Sequence, residues 1–120
     1  MKKLSCVLML ALMTSPAWAE CTYPKAPSKF PNGKSATRDE MVAAQKVNKA
    51  YQADVTTYLG CIKAEHEEAI AKDPALTEEQ KETMTARYIK KNDDAVDRAH
   101  EVANRFNEQL SAFTAKQGKK

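Results

Sequence analysis

The chain has little of what catalytic and nucleic-acid-binding sites are built from. Its three glycines, Gly33, Gly60 and Gly118, stand far apart, which excludes a glycine-rich loop that could cradle a phosphate. Ser28, Ser35 and Ser111 have neither a positioned histidine nor a nucleophile-elbow context, so acyl-transfer chemistry has no foothold. The longest apolar run, Leu4 to Met13, falls well short of the roughly 20 residues a bilayer-spanning helix needs. Stable membrane insertion is therefore not expected.

That run does have a role. Lys2 and Lys3 precede it, and Ala17-Trp18-Ala19 closes the segment with small residues flanking a bulky one. This is the tripartite layout of a secretory signal peptide over residues 1–19, with cleavage near Ala19. Lipidation does not fit, since Ala19-Glu20 before Cys21 and Leu4-Ser5 before Cys6 are not the small-residue box it requires. The processed chain is expected in the periplasm, or secreted beyond it. Two of the 19 basic residues and none of the 16 acidic ones lie in the leader, so the formal charge falls from +3 to +1. A basic footprint for nucleic acid is thereby lost.

Processing also removes Trp18 and Cys6 and leaves an even pair, Cys21 and Cys61. In an oxidising compartment such a pair is expected to join. A redox pair would need the close Cys-x-x-Cys arrangement, and pairing between molecules through Cys21 is the remaining alternative. An internal bond would close a loop of about 40 residues, for which the chain-entropy model gives roughly 4 kcal/mol.

Residues 20–36 contain Pro24, Pro27, Pro31 and the turn dipeptide Asn32-Gly33, which excludes a helix and predicts an extended arm. Thr37 followed by Glu40 makes a capping box. From there Ala44, Val47, Tyr51, Val55, Tyr58, Ile62 and Ala69 recur at three- and four-residue steps, predicting a helix over about 38–72. Asp73-Pro74 ends it, with a turn over 73–77. Leu76-Thr77-Glu78-Glu79-Gln80 reads as a hydrophobic staple and second capping box. The second helix, about 78–115, carries Met84, Tyr88, Asn92, Ala95, Ala99, Val102, Phe106, Leu110 and Phe113 as its stripe, ahead of a basic tail over 117–120.

Two long helices on so short a linker must fold back on each other. The predicted fold is all-α: an antiparallel, coiled-coil-like two-helix hairpin over 37–116, with the proline-rich arm tethered by the disulfide. The arm must double back along the first helix and is expected to lie in the hairpin groove, Tyr23, Pro24 and Phe30 covering apolar surface. Gly60 has two readings, one that it admits a backbone beside Cys61 and the other that it is a tolerated surface glycine. Glu68 with Lys72, Asp94 with Arg98 and Glu101 with Arg105 are expected as one-turn ion pairs. Asn92 is a polar residue at a core position, of the kind that fixes register. Tyr51, Tyr58 and Tyr88 are expected in the seam with hydroxyls reaching its edge. Tyr23, Phe30, Tyr51, Tyr58, Tyr88 and Phe106 form the candidate packing or binding surface.

Pro31-Asn32-Gly33, Ala36-Thr37-Arg38-Asp39-Glu40-Met41, and Tyr51 followed by Tyr58-Leu59-Gly60-Cys61 resemble small uncharacterised exported helical proteins of proteobacteria. That resemblance covers about a third of the chain and implies no activity. Leu76 to Gln80 is also similar to the short motif of the LTXXQ periplasmic chaperones, whose helical cradles hold unfolding clients on a concave surface. It stands here once, beside a disulfide.

Metal chemistry finds no support. Asp97 and His100 fall away from the second stripe, and Glu65, His66, Glu67 and Glu68 on the first helix lie about 16 residues out of register with His100. No cofactor, metal site or catalytic residue is expected. The sequence points to a noncatalytic exported protein that binds a protein partner, through its long faces or through a dimer of two hairpins. A holdase-like chaperone is the alternative.

Overall fold

The computed structural model describes residues 20–118. The expected signal peptide, residues 1–19, lies outside the described residues, as do Lys119 and Lys120 of the expected tail. Helix α1 runs Arg38–Lys72 and α2 runs Glu78–Gln117. They pack as an antiparallel hairpin with no strand among the described residues. The all-α hairpin with a disulfide-tethered arm is the fold the sequence predicts.

Local chemistry sets the helix ends. Thr37 Oγ1 accepts from the Glu40 amide at 3.2 Å while Glu40 Oε2 accepts from the Thr37 amide at 2.7 Å. Thr77 and Gln80 repeat the reciprocal pair at 3.1 and 2.9 Å. Each box satisfies donors that have no partner inside the helix. The hydrophobic staple, however, belongs to α1. Ala36 and Met41 flank its cap and are both buried in one cluster, whereas the equivalent position after Leu76 is the polar Lys81. Asp73 makes the turn, its carboxylate accepting from the Ala75 amide at 3.0 Å. Gly118 caps α2, so Gln117 belongs to the helix and not to a tail.

Two buried clusters meet end to end along the seam. Tyr51, Val55, Tyr58 and Ile62 of α1 pack with Ala95, Ala99 and Val102 of α2. Ala36, Met41 and Ala44 pack with Phe106 nearer the open end. Ala95 and Val102 have no exposed surface, so small residues on α2 let the axes approach the larger α1 side chains. Phe30 from the arm touches both clusters and joins them.

Several individual expectations fail for physical reasons. Val47 is half exposed because it stands one step off the seam, and Leu110 is 38 % exposed on the other side. Asn92 turns to its neighbour Asp93 and makes no bond across the seam in which it could fix register. Asp94 pairs with Lys90, and Arg98 with Glu101. Arg105 is then left to the arm. The pair Glu68–Lys72 forms at 2.8 Å.

Of the two readings of Gly60, the tolerated surface glycine is the one observed, and the close backbone approach falls at Gly33 of the turn. A Cβ at Gly60 would meet nothing within 4 Å, so its helical position needs no glycine. A Cβ at Gly33 would strike the Gln109 carbonyl and come within 2.9 Å of the Phe113 amide nitrogen. Only glycine lets the arm's turn press onto the α2 backbone there. Gly60→Ala is expected to raise stability by up to about 1 kcal/mol, and Gly33→Ala to lower it by about 1–3 kcal/mol. Thermal melts followed by circular dichroism should therefore move in opposite directions for the two variants.

Candidate functional site

The arm converts one side of the hairpin into a built surface. Cys21 bonds Cys61, with Cα atoms 5.7 Å apart, anchoring the arm about two-thirds of the way along α1. From there Tyr23 lies edge-on to Tyr58 with ring centres 5.0 Å apart. Arg105 of α2 reaches over to donate to the Pro27 carbonyl at 3.0 Å and the Ser28 carbonyl at 3.2 Å. Proline-rich backbone has carbonyls that no helix or sheet uses, and a guanidinium fork can take two of them at once. Phe30 then packs edge-on to Phe106 at 5.5 Å. Gly33 donates its amide to Gln109 Oε1 at 2.9 Å, and the chain turns into α1.

All six aromatic candidates fall along this seam and arm. Tyr51, Tyr58 and Phe106 are buried, Phe30 and Tyr88 partly so, and Tyr23 is 44 % exposed. Tyr88 sits apart from the arm, stacked on His66 with ring centres 4.8 Å apart, and His66 Nε2 lies 3.4 Å from Thr85 Oγ1. His66 is thus engaged in the seam and is not part of a solvated charged face. His100 is exposed. Among the described residues no three His, Cys, Asp or Glu side chains gather as a metal site would require.

Sequence patterning does not mark Arg105, Gln109 and Gly33 as contacts of the arm. Arg105 reads there as an ordinary ion-pair partner on a charged helix, and only the path of the arm reveals otherwise. Gln52 is another such residue, donating to the Ala99 carbonyl across the seam at 2.9 Å. Ala36 and Met41 could have been found, since apolar residues on either side of a capping box are a staple signal.

The surface around the anchor is apolar with an acidic border. A groove of about 570 Å³ runs beside the disulfide, lined by Cys21, Cys61, Ala64 and Ala69 with Glu20, Glu65, Glu68 and Lys72. Val47, on the same side of α1, is half exposed. Beneath the arm, the Tyr51 hydroxyl is buried beside Tyr23 without a hydrogen bond of ordinary length, so it does not reach the edge of the seam. Burial, and then the neighbouring Tyr23, pushes the Tyr51 phenol above its ordinary range. Tyr58 is raised in the same way, by burial first and then by Tyr23, Glu65 and Asp94.

Comparison with family models, with curated proteins and with solved structures returned no match. Among the described residues, no helix is long and apolar enough to cross a membrane.

Two outcomes follow for this side of the molecule. Tyr51→Phe removes a buried hydroxyl that lacks a hydrogen bond of ordinary length, and should leave stability unchanged or raise it by about 1 kcal/mol, read as the denaturant midpoint. Raised phenol pKa values mean the folded state holds these protons more tightly than the unfolded chain. The stabilisation is therefore complete below the unfolded tyrosine pKa of about 10 and is lost as pH climbs through the folded values. Absorbance titration should show Tyr51 and Tyr58 ionising late, with unfolding following, and the double phenylalanine variant should be less sensitive to alkali.

Proposed function

We propose that the chain is an exported, noncatalytic protein that works in an oxidising compartment by binding another protein through its arm-bearing face. The observation that carries this reading is apolar surface left in solvent on that face: Tyr23 at 44 % and Val47 at 50 % exposure. Large exposed apolar side chains on a rigid frame are what partner recognition uses. The disulfide supports the compartment, because such bonds persist where thiols are not kept reduced. It also supports the mechanism, since it holds the arm in place before any partner arrives and so lowers the ordering cost of association.

The holdase reading draws on Leu76 to Gln80. In those residues the Thr77 and Gln80 side chains are occupied by the helix cap, which is sufficient reason for their presence. A holdase also needs a concave client surface, and the hairpin offers its acidic-bordered groove as the nearest equivalent.

Affinity capture from periplasmic extract separates these ideas. The oxidised protein should retain a defined partner, and reduction or Tyr23→Ala should release it, with an expected loss of at least tenfold in affinity. A holdase would instead suppress light scattering by a chemically denatured client near one-to-one stoichiometry. Capture that survives both reduction and Tyr23→Ala would refute binding through this face.

A further inference from the structure

The hairpin has a second side, and its composition differs from the first. In a seven-residue frame on α2, the seam is made by Tyr88, Ala95 and Val102 in one row and Asn92, Ala99 and Phe106 in the other. The row flanking the seam on the arm side contains Lys91, Arg98 and Arg105, and Arg105 is the residue that grips the arm. The row flanking it on the opposite side is Ile89, Val96, Ala103 and Leu110, an unbroken apolar heptad series.

A two-stranded hairpin uses two apolar rows per helix; a third row is the signature of a helix inside a larger bundle. Ile89 is 50 % exposed and Leu110 38 %. On α1 the equivalent flanking row holds Gln45, Gln52, Leu59 and His66. Arg38 and Glu82 open the two rows at opposite ends of the face, both exposed. Beyond them, from Gln45 to His66 and from Ile89 to Leu110, no carboxylate, lysine or arginine stands in either row, so a covering face would have no fixed charge to desolvate over that stretch. Gln45 is exposed at the open end of its row, where an interface has its polar rim. Nothing of the arm lies on this side, because its anchors at Cys61, Arg105 and Gln109 are all on the other side or on the seam.

We propose that a second copy of this chain covers that side, producing a four-helix bundle with the two arms on the outside. Charge decides both the occupant and the symmetry. The next row outward carries Lys49 and Lys63 on α1, but Asp93 and His100 on α2. A twofold axis parallel to the helices lays α1 of one copy against α2 of the other, in the register set by Gln52 at Ala99 and His66 at Tyr88. Lys63, which within its own helix lies 4.0 Å from Glu67, then comes near the level of Asp93 twice, as an isologous contact demands, and Lys49 comes level with His100. An axis across the helices would lay α1 on α1, setting Lys49 and Lys63 against their own copies. The first arrangement is the one assigned.

The area is adequate. The uncharged stretch from Ile89 to Leu110 is about 32 Å long by the helical rise and about 20 Å wide across two helices, which gives about 640 Å² for each copy, within the lower part of the range of stable interfaces. Gln52 stands mid-face with its amide already bonded to the Ala99 carbonyl and to Asn48 Oδ1, so it enters the interface without an unpaired donor. This goes beyond the binding reading above, and it is tested on purified protein with no extract present.

Sedimentation equilibrium of the oxidised protein at tens of micromolar should give twice the chain mass. Ile89→Lys, at a half-exposed position, should give a monomer with unchanged helix content, and Val96→Lys should do the same. Lys63→Asp should weaken association at least tenfold, and the exchange Lys63→Asp with Asp93→Lys should restore it. A wild-type monomer at hundreds of micromolar, or a dimer that persists in Ile89→Lys, overturns the proposal. Failure of the charge exchange to restore association overturns the parallel axis.

Discussion

Two antiparallel helices share one seam and leave two sides open, and the Cys21–Cys61 bond is what closes one of them. The arm that it tethers is proline-rich and makes no regular structure of its own. Its attachment is by single points: the disulfide, an aromatic edge on Tyr58, a guanidinium across two carbonyls, Phe30 between the two clusters, and the close approach of Gly33 to α2. None of these would hold a free seventeen-residue segment against its conformational entropy, which runs to about 1–2 kcal/mol per residue. With one end bonded covalently and the other continuing into α1, the segment is a closed loop, and the weaker contacts need only position it.

The same constraint sorts the two sides by chemistry. On the arm side of α2, Arg105 takes the carbonyls of the passing backbone, while Arg98 in the same row pairs with Glu101. The other side is lined with Ile89, Val96, Ala103 and Leu110, suited to another apolar face. One helix therefore presents three different surfaces in sequence: a polar grip for the arm, a small-residue seam for α1, and an apolar row for what lies beyond. The proposed partner-binding face and the proposed dimer face occupy opposite sides, so both can be used by one molecule.

Much of the fold was legible because it rests on local signals. Capping boxes at Thr37–Glu40 and Thr77–Gln80 act over one helical turn, and Asp73-Pro74 stops a helix through its own backbone chemistry. Seam periodicity predicted Tyr51, Val55, Tyr58, Ile62, Ala95, Ala99, Val102 and Phe106 because a heptad row faces one way along its whole length. The failures share a cause. Val47 and Leu110 lie one position off the seam, where apolar character no longer distinguishes a core residue from one facing a further neighbour. The two readings of Gly60 stay open in the sequence, and the crowding at Gly33 is not visible there, because a glycine's purpose depends on which backbone comes close, and that is a long-range fact.

The sequence by itself determined where the helices start and stop, that they fold back on one another, and which cysteines were there to join, since each follows from chemistry within a few residues or from the short linker. Only the tertiary structure decided the path of the arm, the capture of its carbonyls by Arg105, the crowding at Gly33, and the side of the seam on which each apolar row stands. Those depend on contacts between residues as many as 80 positions apart, as Gly33 and Phe113 are. Their geometry exists only once the disulfide and the seam have brought three separate stretches of chain together.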